Sequence, residues 1–182
     1  EFVNLVCDKA ESNRRFAKYM GRPWCVNNEV SLEEFRDIFS GIDRIIYKPV
    51  GGNCGKGVSV YDISEDNIED VYRELRDFPA GVVEQYLVQH PELSSLAPDS
   101  VNTIRVVTIS SKDFPVNDAG DHFDIAYAAL RIGGGSSVVD NFHSGGMVTA
   151  VDLETGKVIT NAVDMKGKVY RNHPVTEKKI QG

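Results

Sequence analysis

The sequence predicts an α+β protein built from two subdomains, residues 1–88 and 89–182, each containing an antiparallel sheet. In the first part, helical patterns alternate with β-rich runs, and two of these runs flank a glycine loop as the strands of a hairpin do. After a loop with two prolines at 90–100, the β-rich runs become longer and follow one another directly. At 182 residues the chain is large enough to bury a real core.

Three helices are predicted in the first subdomain. The first spans 8–20, with Asp8 as N-cap and a glycine after its last residue. The second opens at 31–34 with the capping box Ser-Leu-Glu-Glu and ends before Gly41. The third spans 64–77, because its apolar residues recur at the i, i+3, i+4, i+7 spacing of one helical face.

Strands are predicted where β-branched and aromatic residues cluster between turn residues. Those of the first subdomain are 44–47, 58–61 and 81–88, and those of the second are 101–110, 123–132, 147–153 and 157–162. Between the last two, the segment Asp152–Lys157 is typical of a hairpin turn in which Gly156 takes a positive φ.

The bulk composition limits the classes of partner. A net charge of −7 argues against general binding to nucleic acids or membrane surfaces, because both are polyanions. The three cysteines have neither metal-site nor disulfide-framework spacing, so we expect a reducing, cytoplasmic setting. No apolar run approaches the roughly 20 residues of a membrane span. The chain begins at Glu1 without a methionine, and we expect it to be part of a longer protein.

The loop after the first β-rich run has the strongest chemical signal. Four glycines occupy seven positions from Gly51 to Gly57, and Lys48 directly precedes the loop. Glycine-rich loops expose N–H groups that bind anions such as phosphate. A P-loop is excluded, since Val50 stands where its first glycine belongs and Gly57 where its Ser or Thr belongs. A Rossmann loop is excluded because a short β-run, not a helix, follows. A plain hairpin without a ligand stays open.

Two charged residues interrupt apolar strand faces in the first subdomain. Lys48 lies between Ile46 and Val50 on one face, and Glu84 lies between Val82 and a tyrosine. Such a lysine either reaches solvent at an edge or points at a ligand, and the adjacent glycine loop favours a ligand. Glu84 has two interpretations, a ligand contact and an exposed sheet face.

Arginines repeat this pattern in the second subdomain, at Arg105 and Arg131. On apolar strand faces both need anionic partners, which are either a phosphate or acidic residues of the chain. A polar cluster follows at 140–146, where Asp140 precedes Asn141 and His143 beside a pair of glycines. His143 is either a base or a solvated loop residue.

The order of these segments along the chain resembles the ATP-grasp superfamily, in particular its carboxylate–amine ligases of the glutamate-ligase type. The segments that carry the resemblance are Asp8-Lys9, Lys48-Pro49 before the glycine loop, Val83 to Leu87, Asn102 to Arg105, Arg131, and Asn141 with Gly145-Gly146. The sequences from His90 to Leu93 and from Ser100 to Thr108 are similar to the sugar-transfer-associated group of the superfamily.

The resemblance implies a role for each matching residue. Lys9 and Lys48 would contact the phosphates of ATP. The flap over the phosphates would contain Gly51, Gly52, Gly55, Lys56 and Gly57. The adenine and ribose would lie against Glu84, Gln85, Tyr86 and Leu87. The transferred phosphate and an acyl-phosphate intermediate would face Arg105, Arg131 and Asn141.

The implied reaction is ATP-dependent ligation with Mg²⁺. ATP would phosphorylate a small-molecule or glycan-linked carboxylate, and an amine or thiol would then displace phosphate, in polysaccharide or cell-surface biosynthesis. The family's magnesium carboxylates, a D…E-x-N pattern, have no match after Asp164. Asp140 alone is a poor magnesium site. We therefore expect the metal ligands, and the C-terminal part of the second subdomain, to lie outside this sequence.

Two further expectations follow from the missing pattern. The 182-residue chain should have little or no ligase activity by itself. A non-catalytic nucleotide-binding or scaffold domain, and a phosphotransferase that uses His143, remain alternatives.

Overall fold

The structure is a computed structural model that describes residues 8–51, 57–116, 122–135, 140 and 142–181. The chain forms two compact units, Glu1–Leu87 (unit 1) and Val88–Gly182 (unit 2), and each contains one antiparallel sheet. The predicted α+β class with two antiparallel sheets is confirmed. Across the described ranges, no helix has the length and apolar character needed to cross a bilayer.

Unit 1 combines short helices with a four-stranded sheet of order β1-β4-β2-β3. Its described elements are α1 (Lys9–Arg15), α2 (Ala17–Met20), β1 (Trp24–Val26), α3 (Leu32–Ile38), β2 (Arg44–Pro49), β3 (Ser59–Asp62), α4 (Ile68–Asp77) and β4 (Gly81–Gln85). Helices α3 and α4 cover one face of the sheet. There Tyr47 and Val83 pack with Phe35, Phe39 and Leu75 in a fully buried cluster.

The helices of unit 1 largely follow their local signals. Ser31 and Glu34 form the predicted capping box, in which each side chain bonds to the other residue's backbone N–H. The predicted first helix is instead two, because Phe16 leaves the helical conformation between α1 and α2. The predicted third helix begins at Ile68 and not at Ser64, since the Asn67 side chain accepts a hydrogen bond from the Ser64 N–H and forms a turn.

The strands of unit 1 differ from the prediction in two places. Strand β1 was not predicted, because three residues are too short to show an alternating pattern. The strand predicted at 81–88 ends at Gln85. Beyond it, the N–H of Tyr86 donates to the carbonyl of Arg44, at 2.9 Å, and the chain leaves the sheet.

Unit 2 is a five-stranded sheet in sequential order, β5-β6-β7-β8-β9. Its described elements are α5 (Pro91–Leu96), β5 (Thr103–Ser110), β6 (Phe123–Ile132), a 3-10 turn (Phe142–Ser144), β7 (Met147–Val151), β8 (Ala162–Asp164) and β9 (Val169–Tyr170). Helix α5 covers one sheet face, where Leu96 packs with Leu130, Ile132 and Met147.

Two predictions in unit 2 are wrong. Residues 91–96, predicted as loop, form α5, because proline is tolerated at the first position of a helix, where its missing N–H is not needed. Residues 157–161 do not form the predicted strand, and only Ala162 of the predicted range lies in a strand, β8. The segment keeps an isolated bridge between Val151 and Val158, and the hydroxyl of Thr160 accepts the N–H of Ala150, at 3.0 Å, so a side-chain bond interrupts the ladder along β7. The turn before this segment forms as predicted, with Gly156 at φ 70°.

Candidate functional site

The antiparallel register of unit 1 brings Lys48 and Glu84 to the same face of the sheet. Glu84 on β4 lies opposite Ile46 of β2, and Lys48 lies two residues further along β2, opposite Val82. Residues in such a diagonal arrangement are within reach of a long side chain. The structure therefore joins two residues that the sequence indicated separately.

Glu84 is a buried carboxylate held by two cations. Its side chain is 4% exposed, whereas those of Lys48 and Arg22 are 32% and 27% exposed. Oε1 contacts the ammonium of Lys48, and Oε2 accepts hydrogen bonds from Nε and Nη2 of Arg22 at 3.0 and 2.5 Å. A buried charge requires such partners, because desolvation without them is expensive. The three side chains together carry one net positive charge.

Lys9 lies at the base of the glycine hairpin. Asp8 caps α1 by accepting the N–H groups of Ala10 and Glu11, which fixes Lys9 in the first turn of the helix. From there its ammonium donates to the carbonyls of Pro49 and Val50, at 3.0 and 3.3 Å. Lys9 therefore ties α1 to the strand end from which the hairpin loop departs.

The two ends of the glycine loop are described. Gly57 has φ 72°, and a Cβ at this position would lie 3.2 Å from Cγ of Pro49. Only glycine adopts this conformation without strain. Gly51 has no such restriction. The predicted flap residues Gly52, Gly55 and Lys56 lie outside the described residues.

The chain after Glu84 has one backbone donor without an acceptor among the described residues. The N–H groups of Gln85 and Tyr86 donate to the carbonyls of Pro23 and Arg44, at 3.0 and 2.9 Å. The N–H of Leu87 has no hydrogen-bond partner within the described part of the chain, and the Leu87 residue is 49% exposed. A ligand at this segment can thus accept a hydrogen bond from the N–H of Leu87.

A second polar group lies in unit 2, on the sheet face opposite its core. Thr103 of β5 pairs with Arg131 of β6, and Arg105 pairs with Ala129, so both arginines share this face. Asp140, 8% exposed, joins the two strands. One of its carboxylate oxygens accepts from Nη2 of Arg131 at 2.8 Å, and the other accepts from the Thr103 hydroxyl.

The remaining predicted residues of unit 2 lie in different surroundings. Arg105 is exposed on the edge strand β5, so the expectation that burial forces it to find an anionic partner is wrong. Asn141 lies outside the described residues. His143 is exposed on the 3-10 turn. Among the described residues, no group of three potential metal-ligating side chains occurs.

Sequence reasoning missed Arg22 and the bridging role of Asp140. Arg22 precedes a three-residue strand, and no local pattern links it to Glu84, 62 positions away. It named Asn102 only as part of the family resemblance and did not predict its structural role, in which the buried amide accepts the N–H of Gly133 at 3.0 Å and donates to the carbonyl of Leu93 at 2.7 Å. Asn102 therefore ties the end of β6 to helix α5. A polar residue directly before a long β-run was the only sign of it.

Comparison with known families agrees with this architecture. The family described as sugar-transfer associated ATP-grasp matches residues 77–182, which is more than half of the chain. The match includes β4 and all of unit 2, but not Lys9, Arg22 or Lys48. No curated protein matches the sequence significantly. The chain belongs to the sugar-transfer associated ATP-grasp family.

Proposed function

We propose that this chain is the ATP-binding module of an ATP-dependent carboxylate–amine or carboxylate–thiol ligase. Family membership supports an ATP-binding, ligase-like module. The observation that carries the proposal is the set of cations in unit 1. Lys48 and Arg22 share one buried carboxylate, and Lys9 lies at the base of the adjoining glycine hairpin. These groups give an excess of positive charge where a triphosphate would bind.

The same sheet face suits the rest of a nucleotide. Trp24, Ile46 and Val60 share it with Glu84, and all three are at least partly accessible. Apolar side chains with a few fixed polar groups are typical of small-molecule sites. The N–H of Leu87, for which the described residues provide no acceptor, would supply a donor for the base, as part of the proposed adenine and ribose segment Glu84, Gln85, Tyr86 and Leu87.

In the proposed reaction, a carboxylate oxygen attacks the γ-phosphorus of ATP, and ADP leaves. An amine or thiol then attacks the acyl phosphate at its carbonyl carbon, and inorganic phosphate and a proton leave. Lys9 and Lys48 would neutralise the ATP phosphates. Arg105, Arg131 and Asn141 would stabilise the transferred phosphoryl group, since charge neutralisation and positioning dominate phosphoryl transfer.

The described residues do not by themselves fit a magnesium site. Mg²⁺ prefers several oxygen ligands, and both oxygens of Asp140 already bond to Arg131 and Thr103. We propose that ATP is used as its Mg²⁺ complex. A glycan-linked or small-molecule carboxylate as substrate is supported by the family's association with sugar transfer. A cytoplasmic location is proposed from the cysteine pattern.

Calorimetric titration of the chain with ATP, with and without Mg²⁺, tests the proposal. We expect wild type to bind ATP and Lys48→Met to bind at least about tenfold more weakly, because a charge-assisted contact is lost. Lys157→Met removes one positive charge from an exposed turn of unit 2 and should bind as wild type does. Absence of ATP binding, or equal affinity of wild type and Lys48→Met, contradicts the proposal. Binding that does not depend on Mg²⁺ favours a non-catalytic scaffold.

A further inference from the structure

We propose that Arg22 is a positioning residue that acts through Glu84 on Lys48, and so sets the strength of the phosphate site. This inference rests on the proposed binding of ATP by unit 1. It concerns a residue outside the glycine hairpin and outside the matched family region.

The two oxygens of the Glu84 carboxylate have different partners, and this arrangement supports the inference. Nε and Nη2 of Arg22 both donate to Oε2, at 3.0 and 2.5 Å, while the ammonium of Lys48 contacts only Oε1. Two donors on one oxygen fix the plane of the carboxylate, because a rotation would break both bonds. Arg22 thereby determines where the other oxygen meets Lys48.

The backbone holds Arg22 in place independently of this contact. The carbonyl of the next residue, Pro23, accepts the N–H of Gln85 at 3.0 Å, and Trp24 pairs with Glu84 across β1 and β4. Arg22 is therefore anchored beside the strand that carries Glu84. Its guanidinium therefore reaches the carboxylate from the neighbouring strand end.

The charges explain why this positioning affects an anionic ligand. With Arg22, the cluster has two cations and one buried carboxylate, so one positive charge remains for a phosphate. Without Arg22, Lys48 and Glu84 form a neutral pair, and the carboxylate opposes the approach of an anion to Lys48. In a partly buried site this opposition is weakly screened. Both cations are also partly accessible to a ligand, because the side chains of Lys48 and Arg22 are 32% and 27% exposed.

The test compares Arg22→Gln, Arg22→Lys, Lys48→Met, Glu84→Gln and the double variant Arg22→Gln/Glu84→Gln. Arg36→Gln is the matched control, because it breaks an ion pair between Arg36 on α3 and Glu69 on α4, over the opposite face of the sheet. Affinities for ATP and for adenosine are measured by calorimetry, and thermal unfolding is recorded for each variant.

We expect Arg22→Gln to weaken ATP binding about fivefold to tenfold, with adenosine affinity unchanged. Arg22→Lys keeps the charge but not the pair of hydrogen bonds to Oε2, so its affinity for ATP should lie between those of Arg22→Gln and wild type. In the Glu84→Gln background, Arg22→Gln should have little further effect, because Arg22 acts through the carboxylate.

Each other result has a definite meaning. Additive effects of the two substitutions overturn the inference, since Arg22 would then contact ATP directly. Equal losses for ATP and adenosine, with a lower unfolding temperature, overturn it in favour of a structural role. If Arg22→Gln does not fold, Arg22→Lys carries the same comparison. No ATP binding by wild type overturns the proposed function and this inference together, whereas wild-type affinity in both Arg22 variants overturns this inference alone.

Discussion

Thr103 and Arg131 lie directly opposite each other on β5 and β6, and the carboxylate of Asp140 accepts a hydrogen bond from each. One carboxylate, that of Asp140, therefore links β5 and β6. Because Asp140 is buried, its partners lose a strong interaction if the carboxylate is removed.

We therefore expect Asp140→Ala to lower the free energy of unfolding of unit 2 by about 2–3 kcal/mol, since a buried charge pair and a hydrogen bond are lost. Urea unfolding followed by fluorescence measures this change. Glu154→Ala, in an exposed turn, removes a carboxylate of the same unit and should stay within about 0.5 kcal/mol of wild type. Equal stability of the two variants would show that Asp140 does not fasten the strands.

The hairpin at the base of the proposed phosphate site allows a comparison between two glycines. Gly57→Ala forces a side chain into φ 72° and against Pro49, so we expect a loss of about 1–2 kcal/mol of stability. Gly51→Ala meets no atom of the described residues within 4 Å and has no positive φ, so we expect little change. Thermal unfolding of both variants decides the matter, and a larger loss in Gly51→Ala would contradict the backbone assignment.

Local patterns predicted the elements whose signal is contained in one continuous segment. Strand β6 was predicted with its observed bounds, 123–132, because a long β-rich run ends at a glycine turn. The apolar face of α4 and the capping box of α3 are likewise local. Strand β1 and helix α5 were missed, since one is very short and the other begins with a proline that also fits a loop.

The candidate site was predictable only as single residues. Strand alternation placed Lys48 on one face of β2 and Glu84 on one face of β4, but their contact depends on the register between two strands 36 residues apart. Arg22 joins them through a contact of still longer range. The burial of Arg105 was misjudged for a related reason. Whether a strand face is buried depends on which strand lies at the sheet edge, and sequence alone does not give that order.

Asn27 should be the polar residue of unit 1 whose loss is most easily detected in stability. It is 1% exposed, its Nδ2 donates to the carbonyls of Leu75 and Pro79 at 2.6 and 3.0 Å, and its Oδ1 accepts the N–H of Gly81 at 2.9 Å. Asn27→Ala removes the acceptor of the buried Gly81 N–H, whereas the carbonyls of Leu75 and Pro79 keep bonds from Phe78 and Tyr47, so we expect a loss of about 1–3 kcal/mol in urea unfolding. The exposed neighbour provides the control, because Asn28→Ala should cost less than about 0.5 kcal/mol. A similar effect of both substitutions would contradict this role.

Cys25 makes the stability of unit 1 depend on pH in the alkaline range. Burial against the core raises the pKa of its thiol to about 12, with a smaller contribution from the negative charge of Glu29. In the unfolded chain a cysteine ionises near pH ~8.5, so the folded state binds the proton more tightly. The stabilisation from this thiol is therefore complete below about pH 8.5 and is lost as the pH rises towards 12.

We expect wild type to lose stability relative to Cys25→Ala between pH 7 and 10, as measured by urea unfolding at each pH. Other titrating groups are common to both proteins, so their effects cancel in the difference. A difference that stays constant over this range would show that the thiol is not shielded from ionisation.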